Sequence, residues 1–438
     1  MMAIKVAKFG GSSLADAAQI LKMKSIIDAD EARKFVVPSA PGKRFSGDIK
    51  VTDMLYTLYN ATMHIEDTTQ IFDAIFKRYT AIRDELHLSI NIEEYLYQIR
   101  DDIKVGASED YAASRGEYLN GLLIADLLGY DFIDAADVIF FDERGVYDVK
   151  KTMSILPGAL KLHERAVVPG FYGSMPNGKI KTFSRGGSDI TGSIVSCAAG
   201  ADLYENWTDV SGFLMADPRI VKEAEKIDYI SYKELRELSY MGATVLHEDS
   251  IFPVLEAAIP INVRNTNDLQ NSGTLIMPEI DETKQKYDIT GIAGKKNFTV
   301  ITIEKDGMNA EIGFARKVLE CLEKFDLSFE HMPSSIDTIC VVLADSKIGG
   351  CIEDLIDEIH SVCSPDSVEV SSNMAIIATV GSGMIRKIGV SAKLFRALAQ
   401  NGVNVRMIDQ GSSEINIIVG VENDDFEKAV RSIYDALV

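Results

Sequence analysis

The feature that most constrains this chain is a repeat within it. GMNAEIGFARKVL, Gly307 to Leu319, recurs as GMIRKIGVSAKLF, Gly383 to Phe395, at a constant offset of 76 residues. Gly307/Gly383, Met308/Met384, Ile312/Ile388, Gly313/Gly389 and Lys317/Lys393 coincide. Each copy follows a strand-like run, Thr299–Ile303 or Ala375–Val380, and opens a helical pattern. Two further strand-like runs follow each, LSFEHM then TICVVL, and VNVRMI then INIIVGV. A duplicated strand–helix–strand–strand–helix unit implies two small α+β sandwiches lying side by side. Such a repeat serves pure architecture as well as it serves ligand binding.

The polar stretch MPEIDETKQKYDITG, Met277 to Gly291, marks the boundary ahead of the repeat. The expected division is 1–285 as one large domain, then 286–368 and 369–438 as the two small units. In the large domain AIKVAKF alternates as a strand, GGSS breaks it, and a helical spacing starts at Leu14 with Ser12 or Ser13 as N-cap. RKFVVP is a second strand, Ile65 to Leu128 is mostly helical, and strands alternate with helices from Phe132 to Arg219. That order predicts an α/β domain on a largely parallel sheet, a three-layer α/β/α sandwich.

Charge and cysteine usage exclude several classes of function. The net charge is −21, which argues against a nucleic-acid backbone as partner, since that contact needs clustered Lys and Arg. No apolar run approaches the roughly 18 residues of a membrane helix, and the lysines in MMAIKVAKFGG interrupt any signal-peptide layout. Five cysteines, an odd number with no C-x-x-C pair, read as reduced thiols of a cytoplasmic protein without a zinc site.

Two glycine-rich turns carry the chemistry. KFGGSS, Lys8 to Ser13, is a strand, two glycines and a helix start, an arrangement that aims free N–H groups at an anion while Lys8 supplies a cation. A plain turn would also use two glycines there. FSRGGSD sets Arg185, Gly186, Gly187, Ser188 and Asp189 before a second helix, and arginine grips carboxylates with paired hydrogen bonds. The bland alternative is a helix capped by Ser188 or Asp189. GSMPNGKI resembles a Walker loop but has Ile180 in place of the magnesium-binding hydroxyl, so PNG is read as a hairpin turn. ENWTDVSGFLMADPR holds loop aspartates and Arg219, and SRGEYLNG places Glu117 on a helix. Six scattered histidines show no metal-type spacing, and no metal-ligating set is assigned. Anion cradles, a lysine and arginines with no evident base suit phosphoryl transfer, which is mostly positioning and charge neutralisation. An ionised carboxylate acceptor fits best because it needs no base.

KFGGSS, SRGEYLNG, FSRGGSD, WTDVSGF…DPR, PINVRNT and NVRMIDQGSSEINIIV occur in the order found in the aspartate kinases of the amino-acid kinase fold. The duplicated unit resembles their paired ACT domains. The resemblance implies transfer of the γ-phosphate of ATP, with Mg2+, to the β-carboxylate of L-aspartate, the first step toward lysine, threonine and methionine. It implies that Lys8 neutralises the moving phosphoryl group, that Gly10, Gly11 and Ser12 hold phosphate, and that Asp189 organises the groups around the metal. Thr208, Asp209, Arg219 and Thr244 would contact ATP. Arg185, with Gly186, Gly187 and Ser188 beside it, would hold an aspartate carboxylate, Glu117 its amino group, and Ser39 and Thr52 line the same side. Met308, Gly313, Glu330 and Ser335 match an effector site for lysine or threonine, and pairing of the ACT units implies a homodimer or dimer of dimers. Relatives often carry Lys where Thr244 stands, Pro at Glu248 and Tyr at Leu214, and have a shorter stretch than PGKRFSGDIK. A kinase of another small acid, glutamate or a carbamate, and a non-catalytic amino-acid sensor remain as alternatives.

Overall fold

The first strand, β1 (Lys5–Phe9), buries Val6, Ala7, Lys8 and Phe9 alike, without the in-and-out alternation its sequence suggests. The cause is its place in the sheet. It is flanked in parallel by β2 (Arg33–Pro38) and β7 (Leu203–Thr208), and an interior strand of a parallel sheet is covered on both faces. The computed structural model describes residues 3–184, 186–243, 246, 252–281 and 285–438. These fall into two compact units, one of Met1–Phe213, Asp228–Tyr232 and Thr244–Ile280, the other of Leu214–Ile227, Lys233–Ala243 and Asp281–Val438.

In the first unit the sheet runs β3-β4-β2-β1-β7-β9-β10-β8, with β3 (Asp131–Phe132), β4 (Ala166–Val167), β8 (Tyr229–Ser231), β9 (Ile261–Asn265) and β10 (Thr274–Met277). Its pairs are parallel except β9 with β10. On one face, Ala7, Phe9 and Val36 join a core with α1 (Ala17–Asp28), α2 (Val51–Met63), α3 (Thr69–Glu85), α4 (Ile92–Lys104) and α5 (Glu109–Leu128). On the other, Val6, Phe35 and Val37 pack with the short α6 (Ala135–Val138), α7 (Val149–Lys161) and α8 (Gly187–Ala199). The three layers are those the sequence predicts. The hairpin of β5 (Tyr172–Ser174) and β6 (Ile180–Thr182) turns at Gly178, where φ is 76°, as PNG implies.

A buried ion pair ties β2 to β7 across β1. Arg33 Nε and Nη2 donate to the two oxygens of Glu205 at 2.6 and 3.1 Å, and Trp207 Nε1 donates to the same carboxylate at 3.0 Å. Removing Glu205 would leave a buried guanidinium unmatched, a cost of about 3–5 kcal/mol.

The second unit holds an antiparallel sheet in the order β12-β11-β13-β15-β14. Its long strands are β11 (Gly291–Glu304) and β13 (Ser367–Val380), with β12 (Thr338–Ala344), β14 (Met407–Asp409) and β15 (Asn416–Glu422) beside them. Residues 291–296 pair with 375–380, and 298–304 pair with 367–374. The register breaks between the halves, where Asn297 and Asn373 adopt φ of 69° and 65°. Asn423 fixes both bends, its Nδ2 donating to Asn297 Oδ1 at 3.0 Å and Asn373 Oδ1 at 2.9 Å. The two repeat copies therefore share two bent strands, and the chain enters the second copy's sheet before it builds the first.

The repeat recurs in conformation. Gly313 and Gly389 both take left-handed φ, 85° and 97°, ahead of helices Phe314–Lys324 and Val390–Gln400. Met308 and Met384 are buried, while Ile312 and Ile388 are fully exposed. LSFEHM contributes only an isolated bridge, His331 to Val342, rather than the strand expected. Segments 214–227 and 233–243 pack on this sheet, with Ile292 N–H donating to the Met215 carbonyl at 2.6 Å and Lys295 Nζ to the Tyr240 carbonyl at 2.5 Å. Among the described residues no helix is long and apolar enough to cross a membrane.

Candidate active site

Where β1 ends, Gly10 N–H donates to the Trp207 carbonyl at 2.9 Å, and the chain enters a single 3-10 turn, Gly11–Leu14. The helix expected from Leu14 begins instead at Ala17, with Asp16 as its cap accepting from Gln19 N–H at 2.9 Å. Ser12 and Ser13, the caps expected, lie inside the 3-10 turn instead, and the Ser13 hydroxyl accepts from Thr266 at 2.8 Å. Lys8 is 6 % exposed. Its ammonium lies 2.5 Å from Asp189 Oδ1, in the first turn of α8. Asn206 Nδ2, on β7, donates to the same oxygen at 2.8 Å. A side chain built on Gly10 would begin 3.6 Å from Lys8 Nζ. The two glycine-rich turns, far apart in sequence, thus meet at one ion pair, Lys8 with Asp189.

Glycine is required at the first turn by close packing of backbone on backbone. A Cβ on Gly11 would stand 2.9 Å from the Ala40 carbonyl, and one on Gly42 only 2.5 Å from the Gly11 carbonyl carbon. Gly42 N–H donates to the Gly11 carbonyl at 2.8 Å, and Ser39 N–H to the Phe9 carbonyl at 3.0 Å. The loops after β1 and β2 are interlocked, and a cavity of about 580 Å³ opens beside them. Gly10, Gly11, Ser12, Ser39, Thr52, Glu117, Thr208 and Asp209 line it, all of them candidates from sequence. Lys43 also lines it, together with Ala40, Pro41, Gly42, Phe45, Ser46 and Lys50, and sequence reasoning missed those last six as site residues. The unusual length of PGKRFSGDIK was the one available signal.

Glu117 is held inside α5 with Oε2 buried and without a hydrogen-bond partner. Burial pushes its carboxyl up to about 8, against the pull of the Ala40 and Glu117 backbone N–H groups and the charges of Arg115 and Lys8. An unmatched buried carboxylate oxygen on a cavity wall is a seat for a cationic group.

Gly186 takes φ of 60° and is the N-cap of α8, so neither Ser188 nor Asp189 caps that helix. Gly187 packs against Phe171, and Ser188 against Gly170. Arg185 and Thr244 lie outside the described residues. Arg219 belongs to the second unit, where it pairs with Asp217 at 2.5 Å. Among the expected effector residues, Met308 is buried, Gly313 begins a helix, Glu330 pairs with Lys347 at 3.2 Å, and Ser335 N–H donates to the Thr338 carbonyl at 2.7 Å. Asn206, which orients Asp189, had no sequence signal beyond its place on a strand.

Residues 3–265 match the amino acid kinase family and residues 377–437 an ACT domain. The chain is 36% identical to aspartokinase 3 of Bacillus subtilis (strain 168) over 449 residues, covering 98% of each. The crystal structure of Clostridium acetobutylicum aspartate kinase superposes with a TM-score of 0.90 at 55% identity, covering 100% of both chains. E. coli aspartokinase III in complex with aspartate and ADP, its R-state, superposes at 0.74 with 27% identity and 99% of both chains covered. The T-state of that enzyme, with lysine and aspartate, superposes at 0.73 with 26% identity and 99% of both chains covered.

Proposed function

This chain belongs to the amino acid kinase family as an aspartokinase, an ATP-dependent aspartate kinase with C-terminal ACT domains, and from that premise we infer how its residues share the work. Lys8 stabilises negative charge on the phosphoryl group in flight. Asp189 and Asn206 hold its ammonium in place. Gly10, Gly11 and Ser12 cradle phosphate, and Thr208 and Asp209 take the nucleotide side. Glu117 receives the ammonium of aspartate, with Ser39 and Thr52 beside it, and Arg185 with Gly186, Gly187 and Ser188 takes a carboxylate. One observation carries this reading. A single cavity joins the glycine turn to the orphaned Glu117 oxygen.

Mg2+ suits this cleft. It favours hard oxygens and is commonly held by one or two carboxylates plus substrate phosphates, and the Thr208 hydroxyl and Asp209 carboxylate line the cavity. When bound it would neutralise phosphate charge.

Lysine is the effector best supported, given the lysine-bound relative, and threonine is the second arm of the test. We place catalysis within 1–285 and the ACT pair within 286–438, its two copies interleaved through β11 and β13 rather than divided at 368/369. The fully exposed Ile312 and Ile388, at one repeat position, support burial against a second copy in a homodimer. Five free thiols suit a reducing cytoplasm. The deciding experiment is ADP release with aspartate, glutamate or carbamate as acceptor, with and without lysine and threonine. Turnover strictly dependent on aspartate and depressed by lysine is expected. Turnover with glutamate or carbamate alone would overturn the substrate assignment.

A further inference from the structure

We propose that Arg78 and Tyr79, neighbours on α3, are positioning residues for the two opposite walls of the cleft, Arg78 for the phosphate side and Tyr79 for the amino-acid side. Neither touches the cavity. Arg78 is 5 % exposed, a costly place for a guanidinium unless it is matched. It spends its charge on one loop. Nη2 donates to the Gly42 carbonyl at 2.5 Å and Nη1 to Asp48 Oδ2 at 2.9 Å. Asp48 is gripped from the other side by Arg44, through Nε at 2.8 Å, Nη2 at 2.9 Å and the backbone N–H at 3.0 Å. These bonds, with Arg44 foremost, hold the Asp48 carboxyl far below the usual carboxylate range. Residues 41–50 are thereby closed into a loop whose Lys43, Ser46 and Lys50 line the cavity. Gly42 is the link inward. Its N–H donates to the Gly11 carbonyl, and it lies too close to Gly11 for any side chain. A shift of Gly42 therefore moves the glycine turn.

Tyr79 is fully buried, and its hydroxyl donates to the Gly116 carbonyl at 2.8 Å. Gly116 is where α5 presses on the same loop, since a Cβ there would sit 2.8 Å from Ala40 Cβ. The next residue is Glu117, whose carboxylate receives the Ala40 N–H. Two consecutive side chains of one helix thus brace the phosphate turn through Gly42 and the orphaned carboxylate through Gly116.

The inference rests on the residue roles proposed above, and its test separates the two. Steady-state kinetics are measured for the full-length enzyme and for Arg78→Lys, Tyr79→Phe, Asp48→Asn and Glu117→Gln, with thermal midpoints alongside. Arg78→Lys is expected to raise KM for ATP about tenfold with aspartate KM within twofold, and Tyr79→Phe to raise KM for aspartate several-fold with ATP KM within twofold. Asp48→Asn is expected to follow Arg78→Lys, and stands in for it if that variant fails to fold. A lowered thermal midpoint with both KM values unmoved, or moved together, would overturn the proposal. Glu117→Gln with unchanged aspartate KM would instead overturn the underlying assignment of that wall.

Discussion

Two carboxylates of the first unit differ in how far the chain itself satisfies them. Asp189, in the first turn of α8, has its Oδ1 matched by the Lys8 ammonium at 2.5 Å and the Asn206 amide at 2.8 Å. Glu117, inside α5, keeps one oxygen buried with no partner, and burial raises its carboxyl to about 8. A carboxylate matched within the chain is part of the apparatus. One with a buried oxygen left unmatched costs free energy that a cationic group would recover. The contrast separates the residues that make the site from those that wait for its substrate.

Breaking the matched side should have the largest effect. Lys8→Ala removes the cation from the moving phosphoryl group and strands Asp189 and its amide partner. Turnover is expected to fall about 10²–10³-fold or more with far-ultraviolet dichroism unchanged, measured by coupled ADP release. Turnover within tenfold of wild type would contradict the role. On the unmatched side, Glu117→Gln keeps the shape and removes the charge. Its expected mark is a rise of roughly 10- to 100-fold in KM for aspartate, the worth of one charged hydrogen bond, with ATP KM little changed. If the two variants gave the same kinetic signature, the distinction between the matched and the unmatched carboxylate would fail.

A smaller effect tests why glycine stands in each turn. Gly186 needs it for a left-handed φ of 60°, so Gly186→Ala should cost about 1–2 kcal/mol by calorimetry. Gly42 needs it for contact. Gly42→Ala should cost at least as much, since the Gly11 peptide cannot move aside as a flexible side chain would. Asparagine at each position sharpens the contrast, because it tolerates left-handed φ but not the collision. Gly186→Asn should recover most of the loss and Gly42→Asn none.

Much of this was legible in the sequence because backbone demands leave a local imprint. The glycine turns, the hairpin at Gly178 and the repeat announce themselves through residues that only such conformations require. The meeting of Lys8 with Asp189 was less legible, since it depends on which strands lie side by side, and β7 neighbours β1 only after the sheet is assembled. The buried state of Lys8 was hidden for the same reason. The bends at Asn297 and Asn373 were invisible, because asparagine is common in turns, and only the register shows that two long strands serve two sandwiches. Arg78 gave no signal at all, sitting on a helix where an arginine is ordinarily a solvated face.

The subtlest consequence of the unmatched carboxylate is a proton. In the folded protein Glu117 titrates near 8, against 4.5 for an unburied glutamate, so the folded state holds a proton that the unfolded chain gives up between those values. The stability tied to this group is fully present below about 4.5 and is lost as pH rises toward 8, at no more than about 1.4 kcal/mol per pH unit. Glu117→Gln should abolish that slope, so denaturant midpoints of variant and wild type should diverge in the variant's favour from pH 5 to 8. The same proton must leave when the aspartate ammonium arrives. Below pH 8, aspartate binding should therefore release close to one proton, and KM for aspartate should fall as pH rises from 6 to 8, by up to about tenfold per unit. Calorimetric titration at pH 7 in two buffers of different ionisation heat reads the release directly. A heat independent of buffer would mean that Glu117 is already ionised before aspartate binds, and the proposed proton linkage would be absent.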